Sequence, residues 1–250
     1  MSPFMQVKVW LGSALFFALF VAGILGFGLW ITLVWPVTTL GFRHELARFW
    51  FHYNRRILAL TCHLTDRVEG LERLPPGPVV ILSKHQSAWE TVVLQTLLPP
   101  SVLVLKESLM WIPVFGWALK ATGQIPIDRS KGVEALHRMQ ERGLHHLGRG
   151  MSILIFPEGT RSAPGRPGKY NPGGVALALA AGVPIVPVAH NAGSFWPRRV
   201  FLKRPGEIQV RIGDPIPTAG LGRSDRKRIQ ALVEETIEGM MREIEPPVFP

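Results

Sequence analysis

Apolar residues fall into three successive patterns along this chain. From Val9 to Phe42 no residue is charged, and VWLGSALFFALFVAGILGFGLWITLVW exceeds the roughly 20 residues a helix needs to cross hydrocarbon. It is too long for a signal-peptide core and no small-residue cleavage pattern stands out after it, so it reads as a retained anchor. One helix from Val9 to Trp35 would measure about 40 Å, which calls for a steep tilt or a bent course within one leaflet. Pro36 stops the pattern. The next stretch, FRHELARFWFHYNRRILALTCHL, carries Leu46, Phe49, Trp50, Tyr53, Ile57, Leu60 and Leu64 at helical spacing, with Arg43, Arg48, Arg55 and Arg56 largely off that stripe. This predicts a helix resting in the interface with its basic face toward lipid phosphates. A helix packed on a domain would show the same spacing.

After about residue 65 the pattern becomes short apolar runs separated by helical stretches. The runs Val79–Leu82, Val102–Leu105, Ile125–Ile127, Ile153–Phe156 and Ile185–Val188 predict buried strands, and Glu207–Ile212 alternates like a half-exposed one. Helices are expected at about Ala88–Leu98, Lys131–Leu147, Gly174–Ala181 and Asp225–Ile244. The fold class is therefore α/β, a mixed and mostly buried sheet flanked by helices, preceded by a hydrophobic membrane-anchoring helical segment. The domain division expected is 1–64 for the anchor and interfacial helix and 65–250 for the α/β body. The long irregular stretch 162–174 reads as a basic mobile loop able to cover a site or as plain surface, and the tail EPPVFP as a frayed end.

Composition supports lipid contact: 47% of the residues are hydrophobic and 18% charged. A net charge of +10 admits nucleic acid, an anionic membrane or an anionic substrate. Two tyrosines and no recognition motif among the basic residues argue against nucleic acid, and the anchor argues for membrane lipid. Lys8 precedes the apolar run and four arginines follow it, which places the body on the cytoplasmic face, in a bacterial inner membrane. The single cysteine, Cys62, excludes an internal disulfide and a cysteine metal cluster, and reads as a small buried residue.

The chemistry concentrates at SKHQSAWE. Ser87-x-x-Glu90 before an apolar helix is a capping-box signature, which accounts for Ser87 and Glu90 and leaves His85 unexplained. With Ser87 as the cap, His85 sits just outside the helix and a glutamate in the first turn points back toward it. The carboxylate can then fix the imidazole tautomer and stabilise the imidazolium. A Ser87 nucleophile is rejected, because it is too close in sequence to His85 and no G-x-S-x-G elbow presents it. FPEGTRS, beginning at Phe156, occupies the turn beyond a buried strand, where α/β sheets bind ligands. There Gly159 allows close backbone approach, Thr160 offers a hydroxyl, and Arg161 offers a fork for phosphate oxygens. A turn with Glu158 paired to Arg161 is the alternative. Lys106 and Arg129 each follow another strand; if the strands are neighbours, Lys106, Arg129 and Arg161 line one edge as a phosphate site.

With these motifs in view, the chain resembles the 1-acylglycerol-3-phosphate (lysophosphatidic acid) acyltransferases within the glycerophospholipid acyltransferase family. The resemblance rests on His85-x4-Glu90, LKESLMWIPVFGWALKATGQIPIDR, FPEGTRS and GVPIVPVA, in order, across roughly residues 65 to 215. It implies that His85 is the general base and Glu90 its partner, and that Lys106, Arg129, Glu158, Gly159, Thr160 and Arg161 bind the acceptor. It further implies a lysophospholipid acceptor, an acyl-CoA or acyl carrier protein donor, and no metal or other cofactor. Glu90 stands where the family usually carries Asp, and Pro126 where an aromatic or aliphatic residue is usual. The same chemistry on glycerol 3-phosphate, another lysophospholipid or a lyso-ornithine lipid, and a non-enzymatic membrane module, are the competing readings. Leu109–Leu119 reads as the wall of an acyl channel or as a core helix, His145 and His146 as surface residues, and His190 is left unassigned.

Overall fold

A computed structural model describes residues 3–245, apart from the side chain of Arg129. The uncharged segment is one unbroken helix, α1 (Pro3–Val34), followed by a 3-10 turn at Trp35–Val37 that contains Pro36. Its length and composition suffice to cross a membrane. Thr39 then caps α2 (Leu40–Cys62), its hydroxyl accepting the Phe42 N–H. The two helices run antiparallel, since Gly12 meets Thr61 near one end of the pair, Gly23 meets Tyr53, and Ile31 clusters with Leu46 at the other.

The α2 arginines divide in a way the periodicity did not predict. Arg43 is buried and donates to the Ala121, Trp35 and Thr38 carbonyls, and Arg55 makes a bidentate pair with Asp66 at 2.9 and 2.7 Å. Phe49 and Leu60, on the expected apolar stripe, are instead exposed. Carbonyls freed at the ends of α1 and of α4 (below) need donors, and a guanidinium supplies several from one side chain.

The body is a seven-stranded sheet of β1 (Leu64–Glu69), β2 (Val80–Ser83), β3 (Ser101–Lys106), β4 (Ile125–Ile127), β5 (Ser152–Ile155), β6 (Ile185–His190) and β7 (Gly206–Ile212). Their order is β1-β7-β6-β2-β5-β3-β4, parallel throughout except for the antiparallel β6–β7 pair. Between strands lie α3 (Trp89–Val92), α4 (Phe115–Ala121), α5 (Gly132–Leu147), α6 (Gly173–Ala181) and α7 (Ala192–Phe195), with α8 (Arg226–Ile244) at the end. The central strands are buried on both sides, with Val80, Ile81, Ile153, Leu154, Ile185 and Val186 inaccessible, as helices on both faces require.

The helix expected over Ala88–Leu98 shortens to α3 and a 3-10 turn at Leu94–Thr96. The β-branched run Thr91, Val92, Val93 weakens helix continuation, and Val93 leaves helical geometry at φ −122°. β1 and α7 were not anticipated, while α4 overlaps the Leu109–Leu119 stretch read as a channel wall or a core helix. Of the EPPVFP tail, Glu245 is described and is hydrogen-bonded to Gln86 and Gly165, and residues 246–250 lie outside the described residues.

Candidate active site

Because β2, β5, β3 and β4 are adjacent and parallel, the segments that follow them emerge along one edge of the sheet. That edge brings His85, Phe156–Arg161, Lys106 and Arg129 to one end of the body, and it is where open α/β sheets take ligands.

His85 Nδ1 lies 2.8 Å from Glu90 Oε1. The same oxygen accepts the Gln86 N–H at 2.9 Å and the Ser87 N–H at 2.7 Å, while the Ser87 hydroxyl accepts the Trp89 N–H at 3.1 Å. The helix starts one residue later than expected, with Ala88 as its N-cap and no side-chain cap bond, yet the glutamate still reaches back to the Ser87 N–H and receives the imidazole on the same oxygen. A carboxylate accepts only, so Nδ1 carries the proton and Nε2 keeps a lone pair. Burial by itself raises the Glu90 pKa, but His190, the His85 ring and the Ser87 N–H outweigh it and hold the carboxyl below its ordinary value.

His85 is fixed on every side. Its ring stacks on Phe156 with centroids 4.2 Å apart, its N–H donates to Glu158 Oε2 at 2.9 Å, and its carbonyl accepts the Ser162 N–H at 2.8 Å. Behind it, the buried Lys84 ammonium bridges Glu158 Oε1 at 2.8 Å and Glu238 Oε1 of α8 at 2.7 Å, and Tyr170 donates to the same Glu238 oxygen. Just beyond α8, Glu245 accepts from Gln86 Nε2 at 2.5 Å and from the Gly165 N–H at 2.8 Å. The end of the chain therefore clamps the His85 loop and the 162–174 loop together.

In front of His85 opens a cavity of about 470 Å³, within the size range of small-molecule sites. Its apolar lining comes from α1 (Phe20, Ile24, Phe27), α2 (Trp50, Phe51), β3 (Leu103, Leu105) and α4 (Phe115, Leu119). Its cationic lining is Lys106, Arg161 and Arg198, joined by Gly159 and Thr160. Gly159 has φ +69°, a left-handed turn that glycine adopts freely. The backbone of Arg129 opens the 3-10 turn after β4, next to the strand that ends in Lys106; its side chain lies outside the described residues.

Glu158 is not brought to the cavity. Both its oxygens face protein donors, namely Lys84, the His85 N–H and the Gly168 N–H at 3.0 Å, so it holds the His85 backbone and does not pair with Arg161. None of 162–174 lines the cavity, and Glu158, Glu245 and the Pro157 carbonyl tie that loop to the body. Arg198 is a site residue the sequence did not single out. His190, unassigned from sequence, is buried with Nε2 bonded to the Lys84 carbonyl at 2.8 Å and 4.0 Å from Glu90 Oε2. Burial pushes its pKa down, against the pull of Glu90 and the Lys84 carbonyl.

His85, held by Glu90, lines one largely apolar cavity together with Lys106, Arg161 and Arg198, an arrangement chemically suited to an amphiphilic, anionic molecule. The fold matches the crystal structure of the 1-acyl-sn-glycerophosphate (LPA) acyltransferase, PlsC, from Thermotoga maritima, with a TM-score of 0.80 over 98% of this chain and 100% of that one, at 19% identity. Relatives include the 1-acyl-sn-glycerol-3-phosphate acyltransferases of Pseudomonas aeruginosa, 38% identical over 94% of this chain and 91% of that protein, and of Escherichia coli, 32% identical over 69% and 70%. The human 1-acyl-sn-glycerol-3-phosphate acyltransferase alpha is 32% identical over 71% of this chain and 64% of its own length. The Acyltransferase family model matches residues 66–191, and the chain belongs to that family. It is an acyltransferase.

Proposed function

We propose that the protein transfers a fatty acyl group from a thioester, on coenzyme A or acyl carrier protein, to the sn-2 hydroxyl of lysophosphatidate, giving phosphatidate. The observation that carries this reading is the Glu90-held His85 on the wall of a cavity lined by apolar side chains and by Lys106, Arg161 and Arg198. His85 Nε2 removes the hydroxyl proton as the oxygen attacks the thioester carbonyl; Glu90 stabilises the imidazolium, which then protonates the departing thiolate. Proton transfer of this kind contributes about 10²- to 10⁴-fold. Lys106, Arg129 and Arg161, with Gly159, Thr160 and Arg198, hold the acceptor phosphate and so place the hydroxyl. Glu158 acts behind them by fixing the His85 backbone. The apolar lining receives the acyl chain.

Residues 1–64 serve as the membrane anchor and 65–250 as the catalytic body, with α1 and α2 contributing to the cavity wall. α1 lies within one leaflet and does not stand across the bilayer. The body supports this by meeting it at points along its length: Trp10 lies against Phe201, Ser13 accepts the Lys203 N–H, Phe16 stacks edge-on to Trp196, and Gly28 faces Val114. A helix held along its length by a water-soluble body cannot stand perpendicular to the membrane without drawing that body into hydrocarbon. On the arginines that follow the apolar run, the body is assigned to the cytoplasmic face of a bacterial inner membrane.

The test is acyl transfer by purified protein over a panel of acceptors with both donors. Preference for lysophosphatidate is expected. Faster turnover of glycerol 3-phosphate, another lysophospholipid or a lyso-ornithine lipid would reassign the acceptor.

A further inference from the structure

A second cavity, of about 740 Å³, shares Gln124 with the first but opens elsewhere, between the start of α2, the end of α4 and the last two turns of α5. Its walls carry Arg43 and Lys120 with Arg142, His145, His146 and Arg149, against the single carboxylate of Glu107. Arg43 is committed to backbone carbonyls. Among the described residues, no carboxylate lies within ion-pair distance of Lys120, Arg142 or Arg149, and His146 Nδ1 is buried without a hydrogen-bond partner. Lys120, Arg142 and Arg149, three cations without carboxylate partners on one concave surface, favour an anion with several acceptor oxygens.

The rim identifies its source. Trp35 and Trp111 both border the cavity. Trp111 is 80% exposed, and Ile112, Trp117, Leu33 and Val37 beside these tryptophans are exposed as well, a continuous apolar edge shared by the end of α1 and the approach to α4. Tryptophans next to cations are how proteins sit at the headgroup level of a bilayer. A soluble phosphate ligand would have no use for such an edge.

We infer that this cavity binds the phosphate headgroup of an anionic membrane phospholipid, at a site separate from the acyl-transfer cavity. The inference goes beyond the acyl-transfer reading and does not depend on its acceptor. The cavity residues position the edge of the body that carries Trp111 and Trp117 against the leaflet.

The experiment is native mass spectrometry of the full-length protein in neutral detergent, titrated with phosphatidylglycerol, phosphatidylcholine or coenzyme A. The wild type is expected to retain one phosphatidylglycerol in preference to phosphatidylcholine. The double variant Arg142→Gln/Arg149→Gln should weaken that binding on the order of thirtyfold, from the contribution of each basic residue near an anionic headgroup. Arg142→Lys/Arg149→Lys should keep most of it, and Arg48→Gln/Arg56→Gln on α2 should leave it intact. Acyl transfer to a detergent-solubilised acceptor should be unchanged in all three. Unaltered phosphatidylglycerol binding in the Gln variant would overturn the inference. So would a loss confined to coenzyme A, which would make these cations a donor site.

Discussion

Glu90→Gln separates the two roles that the glutamate combines. Glu90 Oε1 accepts three N–H groups, from His85, Gln86 and Ser87. In the variant only the amide oxygen can face those donors, because an NH₂ turned toward them would set donor against donor. The cap and the His85 tautomer are therefore preserved, and what disappears is the charge. The amide NH₂ takes the place of Oε2, which is buried without a partner, with His190 Nε2 4.0 Å away and already bonded to the Lys84 carbonyl. The exchange swaps an unsatisfied buried carboxylate oxygen for an unsatisfied NH₂ with two N–H donors, so stability changes by less than the roughly 1–3 kcal/mol of a newly unsatisfied group and Tm falls by no more than a few degrees. Loss of the carboxylate charge lowers turnover by roughly 10²- to 10⁴-fold, with acceptor KM little changed, because the charge matters once the imidazolium forms. The assay is thiol release from acyl-CoA under saturating lysophosphatidate, with Tm read on the same preparation. A kcat within about threefold of wild type, with the folded protein intact, would show that Glu90 only caps α3.

Two further perturbations test the surroundings. Lys84→Met leaves the Glu158 and Glu238 carboxylates facing one another without their shared ammonium, so stability falls by about 3–5 kcal/mol; Glu238→Gln, which leaves the Lys84–Glu158 pair, costs less. Thermal unfolding of both variants checks the order. His44 is buried against the Thr122 carbonyl, and burial lowers its pKa to about 4. The folded state therefore binds fewer protons than the unfolded state between that value and the ordinary histidine pKa of about 6.5. Stability is full above this window and declines by up to about 3 kcal/mol as pH falls through it. Tm measured at neutral pH and near pH 4 should show that loss, and His44→Gln should reduce it.

The parts of the site that were legible in the sequence are those fixed locally. His85, Ser87 and Glu90 lie within one turn of a capping box, so their meeting follows from backbone geometry that the motif itself encodes. Lys106, Arg129 and Arg161 were visible as cations after strands; only the pairing of β3 with both β4 and β5 makes them neighbours, and no residue pattern states that order. Glu158 was misplaced, because a carboxylate in a ligand-binding turn looks the same whether it faces the cavity or the protein. Its partner, Lys84, could be seen beside His85, but Glu238 is an exposed-looking acid in a helical stretch far along the chain, and Glu245 opens the tail read as frayed. What draws them in is the packing of α8 on the body through Ile229, Val233 and Ile237. The α2 stripe holds at Leu46, Trp50, Tyr53 and Ile57, with Leu64 buried just beyond the helix, and what it did not show has a related reason: periodicity marks a helix face, but Arg43 is buried by the carbonyl ends it satisfies, which are tertiary neighbours.

His85→Ala tests the central claim most directly. The measurement is the initial rate of thiol release with lysophosphatidate as acceptor, on protein matched to wild type in Tm. If His85 removes the acceptor proton, turnover falls at least about 10²-fold while acceptor KM, set by the cations, holds. Undiminished turnover in that variant would contradict the account.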